Sequence, residues 1–187
     1  DAPLEALARE TSRAVPVSYR RKVSSQSVVS YVPLRVHSHF SFLDSTLSPK
    51  AIVELARSHG MSAVALTDTG NLHGAAEFAK AAQTAGIKPI FGVEVSVSES
   101  PLLLYAESAR GYHNLCRLLS RHAERLATDG DEASVANQQR KPFRREQLAG
   151  LAEGLVAVSQ DATLAELFPR SFYHLVASRD TPDDFAA

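Results

Sequence analysis

Short apolar, β-branched runs alternating with segments of helical period constrain this chain more than any other feature of its sequence. Val32–Val36 is the first such run, and its length and branching suit a buried strand. Ser48 and Pro49 then form a helix start, the serine placed to cap free N–H groups and the proline pre-set for the first turn. Ile52, Leu55, Ala56 and His59 recur at helical spacing until Gly60 supplies a stop. Ala63–Leu66 reads as the second strand and closes in the polar turn Thr67–Asn71. A second helix runs through Ala75, Phe78, Ala79 and Ala82 to Gly86. Pro89–Val97 is the next strand and, after a turn at Ser98–Pro101, Leu102–Tyr105 is another. Ser108 caps a further helix, with Tyr112, Leu115, Cys116 and Leu119 as its apolar stripe. Leu155–Val158 and Tyr173–Val176 complete the strands, with a short helix around Leu164–Leu167 between them.

This order, β-α-β-α-β-β-α and later β-α-β, predicts an α/β fold: a largely parallel sheet or barrel with helices outside. In such folds ligands gather at the carboxyl ends of the strands. His37, Asp68 and Glu94 all fall at or near predicted strand ends.

Two stretches escape the alternation. Residues 1–30 hold a possible short helical face at Leu4, Leu7 and Ala8, ended by Pro16. A serine-rich run with Arg20, Arg21 and Lys22 follows, and the whole reads as an arm or linker whose basic triplet is solvated. Residues 31–187 then form the single globular domain. Within it, residues 127–142 lack periodicity and read as an exposed loop. A hydrophobic fraction of 44% with 22% charged residues is that of an ordinary soluble globule. The net charge of −1 excludes a uniformly basic DNA-coating protein. One cysteine, Cys116, rules out an intrachain disulfide and suits a reducing cytoplasm; on an apolar stripe it reads as core rather than nucleophile. No run approaches the ~20 apolar residues of a membrane span. A start at Asp1 rather than Met is that of a processed, trimmed or partial chain.

The chemistry-bearing residues gather in few places. Along an extended strand His37 and His39 face one side, so both present nitrogen to a common point. Asp44 follows in a loop, Asp68 ends the second strand, and Glu94 sits in the third. One or two imidazoles with three carboxylates at strand ends are a set that holds a divalent ion and activates water for phosphoester cleavage. The competing reading makes them capping and hydrogen-bonding groups, and spacing alone leaves both open. No phosphate-binding P-loop, Gly-x-Ser-x-Gly elbow, paired-cysteine zinc pattern or dinucleotide fingerprint is present. His59, His73, His113 and His122 fall on predicted helices and read as ordinary surface or half-buried residues; His174 lies in a strand context.

Leu34-Arg35-Val36-His37-Ser38-His39-Phe40-Ser41-Phe42-Leu43-Asp44 resembles the first motif of the PHP (polymerase and histidinol phosphatase) domain of bacterial C-family DNA polymerases. Gly60–Leu72 and Ala85–Val95 resemble the same domain in order and spacing. Leu102–Ala106, Gly111–Ser120 and Glu153–Ser159 are similar to its later segments. The likeness covers about residues 31–180, and the arm before Tyr31 has no counterpart. It implies a distorted seven-stranded (β/α) barrel of TIM-like type, incomplete at this chain's C-terminus. Active members hold three metals on about nine His, Asp and Glu ligands at the barrel mouth, for phosphoesterase or 3′–5′ exonuclease chemistry. In many replicative polymerases the cluster has decayed, and the domain supports the polymerase and docks the proofreading exonuclease.

Carried over residue by residue, the resemblance places this chain with the decayed members. Arg35 stands where active members have the first histidine of His-x-His, and a guanidinium has no lone pair to give a cation. Thr69 replaces the histidine of Thr-Asp-His-Gly, and Pro101 stands at another ligand position. His37, Asp44 and Glu94 survive, with His39 and Asp68 as auxiliaries. Such a set implies no resident cofactor, or at most one weakly held zinc or manganese ion, magnesium belonging to the parent polymerase. Arg35 is expected to replace the metal's charge by pairing with Asp44 or Glu94. The implied role is a noncatalytic module of a DNA polymerase III alpha-type subunit. Its partners would be the rest of the polymerase chain, a proofreading exonuclease and other replisome proteins, with DNA met only through the parent enzyme. The alternatives are an error-prone paralogue, a free-standing metal-dependent phosphoesterase, and an interaction domain unconnected with replication.

Overall fold

A computed structural model describes residues 31–129 and 139–176. The expected arm at 1–30, the middle of the loop expected at 127–142, and the end of the chain lie outside the described residues. Helix α1 spans Pro49–Ser58, and the Ser48 hydroxyl accepts from Ala51 N at 3.1 Å with Pro49 in the first turn, as the sequence predicts. Strand β1 is Ala63–Leu66, helix α2 Ala75–Ala85, strand β2 Lys88–Val97 and strand β3 Ser100–Ala106. Helix α3 runs from Ala109 to Thr128, a short α4 covers Arg145–Leu148, and strand β4 is Leu155–Ser159. A 3₁₀ turn at Ala162–Leu167 leads into strand β5, Phe172–His174. None of the described helices is long and apolar enough to cross a membrane.

The five strands form one sheet in sequential order, a mixed α/β arrangement. β1–β2 and β4–β5 are parallel pairs, while β3 is antiparallel to both of its neighbours. The expected largely parallel sheet is therefore interrupted at one strand. The cause is the turn: Val97 pairs with Ser100, so only Ser98 and Glu99 connect β2 to β3. Two residues close a hairpin, whereas a parallel return needs a crossover of a dozen or more. Both adopt positive φ (50° and 68°), the twist a two-residue hairpin favours. Pro101, expected in the turn, consequently lies in β3 opposite Ser96.

Val32–Val36, expected as a strand, runs beside β1 without forming a regular ladder. Ala65 N donates to Pro33 O and Thr67 N to Val36 O, so three steps on one side match two on the other. Pro33 lacks an N–H, and Val36 N turns to the Thr67 hydroxyl at 3.0 Å. β5 begins one residue before its expected start and ends two before its expected end. The stripe expected on α3 is rotated: Asn114, Leu115, Leu118, His122 and Leu126 are buried, whereas Tyr112, Cys116 and Leu119 are half-buried.

The helices pack on one sheet face. Ile52, Val53 and Ala56 of α1 meet Phe78 and Ala82 of α2 over Val64 and Leu66 of β1. A larger cluster sets Leu115 and Leu118 of α3 against Val93, Val95, Leu102, Leu104 and Leu155. The other face carries Ala65, Leu103 and Tyr105, flanked by Ile90, Val156 and Val158. Tyr105 reveals the curvature of that face, because its hydroxyl donates to Leu34 O at 2.9 Å. In a flat sheet β3 would stand three strand spacings, about 14 Å, from the segment holding Leu34. A tyrosine side chain is far shorter than that, so the sheet curls around this face. Gly92 makes room for the crossing ring: a Cβ there would sit 2.7 Å from Leu104 O and 2.9 Å from the Tyr105 ring.

Candidate functional site

At the carboxyl end of β1, Glu94 N donates to Asp68 O and Gly70 N donates to Glu94 O. These bonds extend the β1–β2 pairing beyond β1 and set Glu94 beside Thr69. Arg35 and His37, two residues apart on the irregular edge, both reach Glu94 from the other side. Arg35 is forked onto the carboxylate, Nε to Oε2 and Nη2 to Oε1, each at 2.6 Å. His37 Nε2 lies 3.0 Å from Glu94 Oε2, and its Nδ1 lies 2.6 Å from Asp44 Oδ2. Asp44 is brought back by a tight turn in which Asp44 N donates to Ser41 O and Leu43 takes a left-handed φ of 62°. For a leucine that conformation costs about 1–2 kcal/mol.

The sequence candidates thus separate. Arg35, His37, Asp44 and Glu94 form one contiguous quartet, with Arg35 paired to Glu94 rather than to Asp44. His37 and Glu94 lie on its buried side at 16% and 13% side-chain exposure, while Arg35 and Asp44 open to solvent at 51% and 45%. Asp68 does other work. Fully buried, it accepts from Ser38 N (2.6 Å), the Ser38 hydroxyl (2.7 Å) and the Ser41 hydroxyl (2.8 Å), anchoring the loop that carries Asp44. His39 is exposed and stacks on Phe40, outside the quartet. Thr69 N donates to the Ser41 hydroxyl, and the Pro101 carbonyl accepts from the Ser159 hydroxyl. Ser38, Ser41 and Tyr105 are participants that the sequence did not single out. Their signal was present only as small polar residues flanking a motif and one tyrosine in an apolar run.

The electrostatics follow from these distances. The hydrogen bond to Glu94 raises His37 above the usual imidazole range, against the opposing effect of burial, and the Glu94 and Asp44 charges add to the rise. Burial pushes the Glu94 carboxyl up, but His37 and Arg35 together hold it below its ordinary value. Arg35 is raised by its bond to Glu94. Burial and the nearby Glu94 charge push the Tyr105 phenol up to about 12, so it stays a donor to Leu34. With carboxylates facing both ring nitrogens, the surroundings favour the protonated ring, which can donate to both. Two cations then balance two carboxylates.

This donor set does not fit a metal ion in the arrangement described. Both His37 ring nitrogens are taken up by carboxylates, and both Glu94 oxygens are bound by Arg35. Among the described residues no group of three or more His, Cys, Asp and Glu side chains is disposed to hold a metal.

The PHP domain matches residues 33–181. An error-prone DNA polymerase from Symbiobacterium thermophilum is 45% identical over 93 residues, 49% of this chain and 9% of that protein. The DNA polymerase III subunit alpha of Rickettsia bellii is 31% identical over 176 residues, 82% of this chain and 15% of that protein. A solved structure of a candidate metal-dependent phosphoesterase from Bifidobacterium adolescentis covers 78% of this chain and 77% of its own, with a TM-score of 0.49 and 18% identity. The chain spans only a small part of the polymerases it matches.

Proposed function

The chain belongs to the PHP domain family, and from that premise we propose that it serves as the PHP module of a bacterial DNA polymerase III alpha-type subunit. Its role in DNA replication is that of a noncatalytic scaffold with a degenerate metal site. The observation that carries this reading is the Arg35 fork on Glu94, a permanent cation placed where a barrel-mouth ion would need a neutral nitrogen donor. The curled sheet is one part of a distorted (β/α)7 barrel. Half-buried Ile90, Val156 and Val158 on the concave face, with Tyr173 exposed in β5, are the surface that the remaining strands would cover. The partners are the remainder of the polymerase chain and, through docking, a proofreading exonuclease or other replisome proteins in the cytoplasm. Nucleotidyl transfer, with its magnesium, belongs to other parts of that polymerase.

An error-prone polymerase is the second reading, since an error-prone enzyme and a polymerase III alpha subunit match at nearly equal identity, 45% over 93 residues and 44% over 92. It alters the parent enzyme's task and leaves the scaffold role of this module intact.

Purified chain titrated calorimetrically with zinc and manganese tests the proposal, with hydrolysis of a nitrophenyl phosphate ester followed in parallel. Negligible metal uptake and no metal-dependent hydrolysis are expected. Near-stoichiometric binding with turnover would replace the scaffold by a phosphoesterase. Pull-down with a proofreading exonuclease tests the docking role separately.

A further inference from the structure

His122 was expected to be an ordinary surface or half-buried helix residue; instead it is 5% exposed. Its ring lies flat against Phe143, centroids 3.6 Å apart and planes 11° from parallel. Nδ1 faces Arg125 Nη2 at 3.5 Å, a contact in which a neutral ring would offer its Nδ1 lone pair to the guanidinium. Nε2 is inaccessible and has no hydrogen-bond partner among the described residues. The charged group facing the ring from α3 is Arg125, itself bonded to Asp129 at 2.9 Å. From α4 the polar neighbour is the uncharged Gln147, and Phe143 covers the ring face. No carboxylate among the described residues is bonded to the ring to compensate a second cation there.

What the ring holds gives this burial a consequence. Phe143 N donates to Ser96 O at 2.7 Å, tying the polypeptide after α3 to β2, and Arg125 Nη2 donates to Pro142 O. Three residues earlier the same stretch grips the site. Gln139 Nε2 donates to Phe40 O and its Oε1 accepts from Phe42 N, while Arg140 Nη2 donates to Phe42 O. Gly70 lies so close that a Cβ there would stand 2.6 Å from Gln139 O. Residues 139–148 therefore form a strap with one end on the loop leading to Asp44 and the other on α3. Where residues 127–142 were expected to be an exposed loop, α3 continues through Thr128 and 139–142 are tied down.

We propose that His122 is a pH-sensitive latch: proton uptake by its buried ring releases the strap from α3 and thereby loosens the mouth loop Phe40–Asp44. An imidazolium at this position would lose the Arg125 contact, sit beside a like charge and remain desolvated against Phe143. Opening the strap removes Phe143 and Pro142, so water reaches the ring and screens the neighbouring Arg125 charge. Burial holds His122 below the usual imidazole range, against the Gln147 side chain, which raises it, and with a smaller push downward from Arg125, in the sense this coupling demands.

Amide hydrogen exchange on the chain, read by NMR and corrected for intrinsic rates, tests the latch. Between pH 7.5 and pH 5 protection at Phe143 and Phe42 should fall roughly tenfold or more while Leu102 and Leu104 of β3 stay protected. In H122F, which keeps the stack and cannot titrate, that fall should vanish. An equal fall in both chains, no fall in either, or simultaneous loss at β3 overturns the proposal. If H122F does not fold, the His122 ring signals of the unaltered chain decide. Titration below the ordinary imidazole value, in step with the Phe143 exchange, supports the latch, and titration at or above it overturns the proposal.

Discussion

Replacing Arg35 with alanine removes two charge-assisted hydrogen bonds of 2.6 Å from a carboxylate that is only 13% exposed. Each such bond contributes about 1.5–3 kcal/mol when well shielded. Two facts reduce the loss. The Arg35 side chain is 51% exposed, so water screens much of the attraction, and His37 Nε2 remains on Glu94 Oε2. A cost of about 1–2 kcal/mol is what remains. In a chain of this size that lowers the melting midpoint by about 2–8 °C. Circular dichroism melts at pH 7 in low salt measure it, and E94Q alone and combined with R35A completes the cycle. The two single changes should not add, because they abolish one shared interaction. A midpoint within about 1 °C of the unaltered chain, or strict additivity, refutes the account in which Arg35 stands in for a metal's charge.

The quartet also sets a pH window. His37 is raised above its ordinary 6.5, so its contribution is complete below about 6.5 and fades as pH rises through its folded value; Glu94 is lowered from 4.5, so its contribution is complete above about 4.5 and fades in acid. The midpoint should therefore peak between about pH 4.5 and 6.5, and H37Q should abolish the alkaline shoulder while keeping the acid one. D68A strands three donors of Ser38 and Ser41 in a buried loop and should cost about 3 kcal/mol or more in urea unfolding, with D68N less damaging because one oxygen survives. G111A should prevent folding to a soluble chain: its Cβ would lie 1.8 Å from Gly154 O, a backbone atom that no rotamer change can move. A G111A chain of unchanged midpoint would mean that the α3–β4 contact is looser than described.

The elements were legible wherever the pattern was periodic. β1, α1, α2 and β4 fall within one or two residues of expectation because the helices carry a periodic apolar face ended by Gly60 or Gly86 and the strands are short apolar runs. The edge segment and β3 were harder to read, since regular pairing depends on neighbours that a local run does not encode: Pro33 and one extra residue spoil the first ladder. The tight turn made β3 antiparallel. Arg35, His37, Asp44 and Glu94 were visible through the resemblance to the PHP motifs. Their partners were not, because Ser38 and Ser41 matter only once Asp68 is buried above them, and Tyr105 only once the sheet curls. The burial of His122 was illegible for the same reason: a histidine facing Phe143 across 21 residues leaves no periodic trace.

The two buried carboxylates at this mouth explain why a cation had to remain. Asp68 follows β1 where the chain folds back, so a backbone N–H and two serine hydroxyls converge on it, and neutral donors satisfy both its oxygens. Glu94 lies within β2, where the ladder uses the nearby backbone groups and leaves its side chain none: its own N–H serves Asp68 O, and its carbonyl serves Gly70. A carboxylate at 13% exposure without backbone donors needs positive charge, from an ion or from side chains. Arg35 and His37 supply it from an edge already bent out of regular pairing, where side chains two apart both reach across β1. An arginine at the first position of that edge therefore follows from Glu94 itself. It meets an electrostatic demand that burying Glu94 would still impose with no metal present.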